Sequence, residues 1–161
     1  MKNNFIGHKT LKIYNEFLIN FFPPFIDTYI EPFGGSFAVS TYLSNKPNKL
    51  IYNDIIDYNL DIKADEIYHK DYKEIFDMFD NKNSFIYIDA PYFGKEQLYG
   101  LKKFDKIFHK KLKGDISELV SKFVVSYEDN DYIRELYSDF KIHKYTGSNQ
   151  ILRNEIVITK S

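Results

Sequence analysis

The sequence contains no cysteine, and its 161 residues carry a formal net charge of only −1. Without thiols the chain can form neither disulfides nor thiolate metal sites. The near-neutral charge excludes a global basic field, so any nucleic-acid-binding surface must be local. The four histidines show no metal-ligand spacing. We therefore predict no metal site of any kind.

Long apolar runs are also missing. The longest, Phe17–Ile26, is interrupted by Asn20 and by the pair Pro23-Pro24, and it is too short to span a bilayer. The segment Met1–Lys9 lacks the apolar core of a signal peptide. The sequence therefore predicts a soluble, cytoplasmic protein with no membrane partner. At this length we expect one domain, residues 1–161, that buries about two-thirds of its extended-chain surface.

The most informative stretch is a short apolar run, Phe85–Ile88, which is rich in β-branched and aromatic residues. It predicts a strand buried on both faces, as in a parallel sheet. The run ends in Asp89, Ala90, Pro91 and Tyr92. A proline cannot donate to a strand ladder, so the strand must stop there. An acid, a restricted turn and an aromatic ring are thus placed at the carboxyl end of a core strand, where ligands bind in open α/β sheets.

A second stretch has a similar organisation. Its pattern predicts a strand, a turn and a helix in succession, at Asp27–Glu31, Pro32–Ser36 and Phe37–Leu43. Gly34 and Gly35 permit a positive φ and close approach of a ligand to the backbone. Ser36 is predicted to be the N-cap of the following helix. Together the two stretches indicate two strand-to-turn sites in one small chain.

The remaining pattern alternates helices with strands. Further helices are predicted at His8–Phe22, within 54–68, and at Lys73–Asp80, Leu101–Lys113 and Asp129–Phe140, the last beginning at Asn130 or Asp131. Further strands are predicted at Lys49–Asp54, within 54–68, at Lys122–Tyr127, and in a terminal hairpin of Lys141–Thr146 with Glu155–Thr159; residues 93–100 are predicted to be loop. This alternation indicates an α/β, three-layer αβα fold with a mostly parallel sheet.

Taken in order, these motifs resemble the Dam-type (D12 class) DNA adenine methyltransferases. The matching segments are Phe5-Ile-Gly-His-Lys9, Glu31-Pro-Phe-Gly-Gly-Ser-Phe-Ala-Val39, Asn53-Asp54, Asp89-Ala-Pro-Tyr92, Phe123–Tyr127 and Asn154–Ile158. The family patterns are Gly-x-Lys, then Glu-Pro-Phe-x-Gly-x-Gly for the cofactor loop and Asp-Pro-Pro-Tyr for the catalytic turn. The resemblance covers nearly the whole chain. It implies a Rossmann-like methyltransferase fold with a seven-stranded sheet whose last strand is antiparallel.

The resemblance implies transfer of a methyl group from S-adenosylmethionine to the exocyclic amino group of adenine in DNA. That nitrogen is a poor nucleophile because its lone pair is delocalised into the ring. Asp89 and the carbonyl of Ala90 would accept from its two protons, while Pro91 restricts the turn. Tyr92 offers a π face on which an extruded base can stack.

The resemblance also implies cofactor contacts. The glycine loop would approach the methionine part and Asp54 the ribose hydroxyls, with Asp71 and Tyr72 at the adenine ring and Lys9 near the carboxylate. The full set of cofactor candidates is Lys9, Glu31, Phe33, Gly34, Gly35, Ser36, Asp54, Asp71, Tyr72 and Asp89. The nucleic-acid candidates are Tyr92, Phe93, Lys95, Lys102 and Lys103.

Each assignment has a simpler structural alternative. Asp89 could end its strand in an ordinary turn, Gly34-Gly35 could be a mere tight turn, and Asp54 could cap a following helix. Lys9 could be plain surface charge. The lysines between Lys95 and Lys113 suit a solvated face as well as a DNA-phosphate contact.

The sequence departs from the family in three places. Ala90 replaces the first proline of the catalytic turn, which keeps the carbonyl but loses one rigid φ. Phe37 stands where the family often has its last glycine, so it either crowds the cofactor loop or packs beneath it. Asp54 and Asp89 are separated by only 34 residues, which leaves no room for the family's usual target-recognition insert.

These departures keep other functions open. The chain could read a short site through its loops, or depend on a recognition subunit or a second copy of itself. It could be a catalytically weak or partner-dependent S-adenosylmethionine-binding module. It could also methylate RNA or a protein amide, because such a turn suits any planar amino group. DNA, single- or double-stranded, is the predicted partner.

Overall fold

The computed structural model describes residues 12–102 and 105–160. Within them seven strands form one sheet and four α-helices are present. The strands are β1 Thr28–Glu31, β2 Lys49–Asn53, β3 Glu66–Tyr68, β4 Ser84–Ile88, β5 Lys122–Glu128, β6 Lys141–Lys144 and β7 Glu155–Thr159. The helices are α1 Lys12–Leu18, α2 Tyr72–Phe79, α3 Lys106–Ser117 and α4 Asp131–Leu136.

The sheet has the strand order β3-β2-β1-β4-β5-β7-β6. The first five strands in that order are parallel, and β7 runs antiparallel to both β5 and β6. In the parallel part Ile30 is in register with Ile51 on one side and Ile86 on the other. The seven strands and the terminal antiparallel hairpin confirm the predicted fold class. The chain first places β2 and β3 on one side of β1, and it then places β4 on the other side. The boundary between β1 and β4 is therefore the switch point, where such sheets bind ligands.

Apolar side chains cover both faces of the sheet, as a parallel sheet requires. All five residues of β4 are buried. One core layer packs the sheet against α2, α3 and α4, and includes Ile30, Ile86, Ile75, Leu112, Ile116 and Ile133. The other includes residues of α1 and the glycine-loop region, among them Tyr14, Leu18, Tyr29, Phe37, Tyr52 and Tyr87.

The predicted helix at Phe37–Leu43 is wrong in type. The structure has a short 3₁₀-helix, Ala38–Tyr42, instead. Ser40 and Thr41 donate their hydroxyls to carbonyls three residues earlier, which is the local hydrogen bonding that competes with an α-helix. Ser36 is not the N-cap, because Phe37 occupies that position without a side-chain cap.

The predicted helix within 54–68 is also wrong, since residues 54–65 are irregular and only β3 forms there. Two aspartates explain the difference. Asp54 accepts from the N–H of Ile56, and Asp57 accepts from the N–H of Asn59. Such Asx turns satisfy the backbone locally and prevent a helical ladder.

Other elements differ mainly in their bounds. The first helix begins within the described residues at Lys12 and is followed by a 3₁₀ turn, Ile19–Phe21. A 3₁₀-helix, Glu96–Tyr99, lies in the segment predicted to be loop. The next helix starts at Lys106, later than predicted, because Asp105 caps it. Asn130 caps α4 by accepting from Ile133, as predicted.

Candidate functional site

Four neighbouring parallel strands carry a carboxylate at or just beyond their carboxyl ends. Glu31 ends β1, Asp54 follows β2, Asp89 follows β4 and Glu128 ends β5. Carboxyl ends of parallel strands meet at one edge of a sheet. The fold therefore brings the glycine loop, Asp54 and the turn beginning at Asp89 to the same edge, around the β1–β4 switch point.

The two glycines of the loop after β1 are required for different reasons. A Cβ on Gly34 would lie 2.3 Å from the ring of Tyr52, so only glycine fits there. The N–H of Gly34 also donates to the carbonyl of Asn53 at 2.7 Å. Gly35 has a φ of +51°, and no described atom lies within 4 Å of the place a Cβ would take. The loop is therefore packed tightly on β2 at Gly34 and open at Gly35.

Phe37 packs beneath this loop and does not crowd it. Its side chain is buried, with its ring centroid 5.4 Å from that of Tyr52 and 6.2 Å from that of Tyr29. Its φ is +60°, in the left-handed region that favours glycine. A large apolar side chain thus holds a left-handed conformation at the position where the family pattern has glycine.

Asp54 ties the glycine loop to the end of β2. Its side chain is only 6% exposed. One carboxylate oxygen accepts from the N–H of Gly35 at 3.0 Å and the other from the N–H of Ile56 at 3.0 Å. Burial raises the pKa of Asp54, while these two N–H groups and nearby His69 act in the opposite direction. Residues 55–65 contain no helix and β3 is the next element, so the alternative that Asp54 caps a following helix is wrong.

The residue just before it, Asn53, organises the site and was not among the predicted site residues. Its fully buried amide donates to the carbonyls of Pro32 and Lys70, both at 2.9 Å, and accepts from the N–H of Lys70 at 2.9 Å. It therefore connects the loop after β1 with the loop after β3. The pair Asn53-Asp54 is visible in the sequence, but only the acid had an assigned role.

We expect Asn53→Ala to lower the free energy of unfolding by about 2–3 kcal/mol, because it leaves several buried backbone groups unsatisfied. Urea unfolding measures this. Asn48→Ala is the matched control, since the exposed Asn48 amide donates to the exposed Asp27 carboxylate and not to buried backbone groups of the described chain. Its expected loss is within about 0.5 kcal/mol. Equal losses in the two variants would contradict the role assigned to Asn53.

The turn after β4 contains Asp89, Ala90, Pro91 and Tyr92. Asp89 is half-buried, and the next two residues are buried. The hydroxyl of Tyr92 donates to Glu155 at 2.6 Å, and burial raises the pKa of this phenol well above its ordinary value. The phenol is therefore a neutral donor, and its hydrogen bond to β7 fixes the direction of the half-buried ring.

Glu31 is the second carboxyl group of the crevice. It is buried, and one of its oxygens accepts from the hydroxyl of Tyr29 at 2.5 Å. Burial raises the pKa of Glu31 well above its ordinary value; the charge of Asp89 adds to this, and the Tyr29 hydrogen bond opposes it. The parallel pairing of β1 with β4 places the two strand ends side by side, which is why the charge of Asp89 acts on Glu31.

The comparisons with known proteins agree with this geometry. The sequence model of the family described as D12 class N6 adenine-specific DNA methyltransferase matches residues 55–151. That is more than half of the chain. The chain belongs to this family. No curated protein matches its sequence.

Solved structures share the fold of this D12 family member. An S-adenosylmethionine-dependent O-methyltransferase from Thermotoga maritima matches with a TM-score of 0.59 and 15% identity, over 99% of this chain and 68% of that one. An rRNA methylase from Streptococcus thermophilus matches with a TM-score of 0.55 and 11% identity, over 97% and 99%. A Streptococcus mutans protein in complex with SAH, named provisionally as a methyltransferase, matches with a TM-score of 0.56 and 14% identity, over 98% of this chain and 100% of that one. At these identities the likeness shows the fold alone.

The lengths of the matched structures vary. The chain spans 49% and 47% of two further matched chains, both named provisionally as methyltransferases. It therefore covers about half of some of its structural neighbours and the whole length of others.

S-adenosylmethionine is the methyl donor that membership of the D12 family implies. The residues present fit it. The backbone at Gly35 is open, and the carboxylate of Asp54 can accept from hydroxyl groups. Gly34, Gly35 and Asp54 would hold the cofactor, whose chemical contribution is an electrophilic methyl group. Within 12–102 and 105–160 no three His, Asp or Glu side chains are grouped to hold a metal ion.

Four other cofactor candidates follow strands at this edge of the sheet: Phe33 and Ser36 follow β1, and Asp71 and Tyr72 follow β3. The ring of Phe33 is 5.3 Å from that of Tyr72, whose hydroxyl donates to Asp115 at 2.7 Å. Asp71 is the N-cap of α2, accepting from the N–H of Lys73 at 2.9 Å. Ser36 is half-buried in the loop. The prediction for Lys9 falls outside the described residues.

The nucleic-acid candidates differ in their contacts and in their exposure to solvent. Phe93 packs against Tyr132, with ring centroids 4.6 Å apart. Lys95 pairs with Glu128 at 2.7 Å and lies 5.8 Å from the centre of the Tyr92 ring. Lys102 is exposed, and Lys103 lies outside the described residues. None of the helices described is long and apolar enough to cross a membrane.

A buried pair next to the turn, Glu96 and His109, has no signal in the sequence. Both side chains are 0% exposed, with His109 Nε2 2.9 Å from a Glu96 oxygen. Nδ1 of the same ring lies 2.7 Å from the hydroxyl of Tyr127. Burial lowers the pKa of His109, although Glu96 opposes this.

This lowered pKa predicts a contribution to acid sensitivity. As the pH falls below about 6.5, the unfolded state takes up a proton on this histidine before the native state does. The free energy of unfolding then falls, by up to about 1.4 kcal/mol per pH unit for one proton, until the native pKa is passed. His109→Gln removes this contribution. We expect the variant's urea-unfolding free energy to depend less on pH between about 7.5 and 5.

The comparison isolates His109. Burial and Lys141 also lower the pKa of His143, but that residue is present in both proteins. Carboxyl groups that do not contact His109 likewise cancel in the difference between the two curves, which leaves His109 and its partner Glu96. Parallel curves for wild type and variant would show that His109 has the same pKa in both states.

Proposed function

We propose that the protein methylates the exocyclic amino group of adenine in DNA, with S-adenosylmethionine as the methyl donor. The observation that carries the proposal is the position of the Asp89–Tyr92 turn. It follows β4 beside the glycine loop after β1, in a chain that belongs to the D12 family. The acceptor groups and the cofactor loop thus share the crevice at which such sheets bind ligands.

The residues of the turn suit this reaction. Asp89 accepts a hydrogen bond from one amino proton and the carbonyl of Ala90 from the other, which makes the nitrogen lone pair available. Tyr92 stacks on the extruded base, an interaction worth about 1–3 kcal/mol in nucleic-acid sites. The main catalytic contribution of the protein is to hold the amino group and the cofactor loop in a fixed geometry.

DNA recognition is the less usual part of the proposal. Between Asp54 and Asp89 the chain forms only an irregular segment, β3, α2 and β4. A target-recognition insert has no place there. We infer that the protein reads a short site through its loops, or through a partner chain. Lys95 and Lys102, both exposed, are the basic candidates within the described residues, and Lys95 lies against the ring of Tyr92.

Two observations favour a second candidate function. Ala90 gives the turn one rigid φ fewer than the family pattern, and the recognition insert is missing. Both suit a cofactor-binding module that needs a partner for activity. An rRNA methylase is also among the proteins of similar fold, so RNA belongs among the substrates to be tested.

The test is incubation of the pure chain with tritiated S-adenosylmethionine and, separately, unmethylated genomic DNA, RNA and protein, followed by nucleoside and residue analysis. The proposal expects N6-methyladenine from DNA with multiple turnovers. Cofactor binding by calorimetry without methylation would favour the partner-dependent module. Label found only in RNA or protein would overturn the DNA assignment. If the chain neither binds the cofactor nor transfers label, it has the fold of a methyltransferase without the activity.

A further inference from the structure

The segment after the catalytic turn contains an acid that is buried without an evident reason for it. Glu96 lies in the 3₁₀-helix Glu96–Tyr99, in a surface connection next to exposed Lys95 and Gln97. Yet it is 0% exposed. Burying a carboxylate is costly unless polar groups hold it. Its contacts therefore indicate what it stabilises.

The two oxygens of Glu96 have different described partners. One accepts from the backbone N–H of Gly94 at 2.8 Å. The other lies 2.9 Å from His109 Nε2, and the far side of that ring is 2.7 Å from the hydroxyl of Tyr127. His109 belongs to α3 and Tyr127 to β5. Glu96 thus connects the backbone just after the catalytic turn to two rigid elements of the core.

This connection acts on Tyr92. Gly94 has a φ of +93°, and Lys95 N–H donates to the carbonyl of Tyr92 at 2.9 Å, so residues 92–95 form a tight turn. The other end of Tyr92 is fixed independently, because its hydroxyl donates to Glu155 on β7. The ring is therefore held by its hydroxyl on one side and by its backbone on the other.

The tight turn at residues 92–95 also compensates for the lower backbone rigidity of the Asp89–Tyr92 turn. Ala90 supplies one rigid φ fewer than the family pattern. A clamp immediately downstream restricts the same few residues from the other end. Contacts of this kind keep a site within the small tolerance that catalysis requires, since a displacement of about 1 Å can cost about 10²-fold in rate.

We propose that Glu96 and His109 are positioning residues that hold the Asp89–Tyr92 turn, and with it the ring of Tyr92, in the geometry that receives the base. This inference rests on the proposed function for its catalytic part. Its structural part, the clamp on Gly94, does not need any substrate. The two parts can therefore be tested separately.

The test compares Glu96→Ala, Glu96→Gln and His109→Gln with a matched control, Asp80→Ala. The Asp80 carboxylate also accepts hydrogen bonds from loop N–H groups, those of Val120 and Ser121. It lies before β4, however, and so at the edge of the sheet opposite to the Asp89–Tyr92 turn. Two measurements are made on each protein. One is hydrogen exchange of residues 90–102 without cofactor or substrate, and the other is kcat and KM for methyl transfer.

We expect Glu96→Ala to speed exchange of this segment at least about tenfold and to lower kcat about 10²-fold, with a smaller change in KM. Glu96→Gln keeps an acceptor for Gly94 and should recover most of both losses. His109→Gln should fall between them. Asp80→Ala should lower stability while leaving kcat and exchange of residues 90–102 unchanged.

The other outcomes are equally decisive. Unchanged exchange in both Glu96→Ala and His109→Gln would overturn the clamp. Faster exchange with unchanged kcat would overturn the positioning role. If Glu96→Ala fails to fold, His109→Gln supplies the variant with a weakened clamp and Glu96→Gln the variant that keeps it. If the wild type transfers no methyl groups, the proposed function fails, while the exchange data still decide whether the clamp exists.

Discussion

An Asp89→Asn variant is expected to lose methyl transfer to adenine by about 10²- to 10³-fold, the cost of removing one preorganised polar group from a reaction site. The amide keeps the size of the side chain but loses the negative charge. In the proposed mechanism that charge favours a pyramidal, nucleophilic amino group and balances the positive charge that develops on it. The measurement is single-turnover methylation with excess enzyme, which reports the chemical step.

Two controls accompany this variant. Asp139→Asn removes the charge of an exposed acid that pairs with Lys113 far from the turn, and it should leave the rate unchanged. Thermal unfolding of Asp89→Asn should match the wild type or exceed it, because the crevice then loses one of two neighbouring carboxylates. A variant that methylated at the wild-type rate would remove Asp89 from the mechanism and with it the proposed function.

The parts of the fold that sequence could predict are those with a local signal. The uniformly apolar run Phe85–Ile88 has the pattern of a strand covered on both faces, and it is such a strand. Asn130 predicts a helix start because its side chain can bond an N–H three residues later. Each signal is complete within a few residues, so packing elsewhere does not change it.

The errors arise where short-range polar bonds compete with apolar periodicity. Phe37–Leu43 has enough apolar residues for an α-helix, but Ser40 and Thr41 bond the carbonyls of the preceding turn. A positive φ at a buried phenylalanine is also invisible to propensity, because propensity places glycine there. Only the packing of that ring against Tyr52 explains why the conformation is held.

The candidate site divides in the same way. Asp54 and Asp89 end or follow predicted strands, so their shared edge could be inferred from the order of strands and helices. Glu96 and His109 are 13 residues apart on different elements, and their meeting depends on how α3 packs on β5. Asn53 bonds backbone groups 17 and 21 residues away. A residue pattern cannot predict such bonds because their partners are brought together only by the finished sheet.

The second large effect is expected from Gly34→Ala. The added Cβ would lie 2.3 Å from the Tyr52 ring and 3.1 Å from the carbonyl of Asn53, so both the ring and the loop must move. The Tyr52 hydroxyl donates to the carbonyl of Gly35 at 2.9 Å, and that hydrogen bond would be broken or distorted. We expect overpacking to cost about 1–3 kcal/mol of stability. We also expect affinity for S-adenosylmethionine to fall by about 10-fold or more, because the displaced loop would lose about 1.4 kcal/mol or more of binding free energy.

Gly114→Ala is the matched control for this change. Gly114 lies inside α3, and its added Cβ would meet no described atom within 4 Å. Alanine is the better helix former, so this variant should gain about 0.5–1 kcal/mol in urea unfolding and bind the cofactor as the wild type does. Calorimetric measurement of cofactor binding by both variants shows whether a loss of affinity is specific to the loop after β1 or follows from adding a methyl group anywhere in the protein. Normal cofactor affinity in Gly34→Ala would mean that the loop after β1 is only a tight turn, and the cofactor would have to be sought elsewhere along the strand ends.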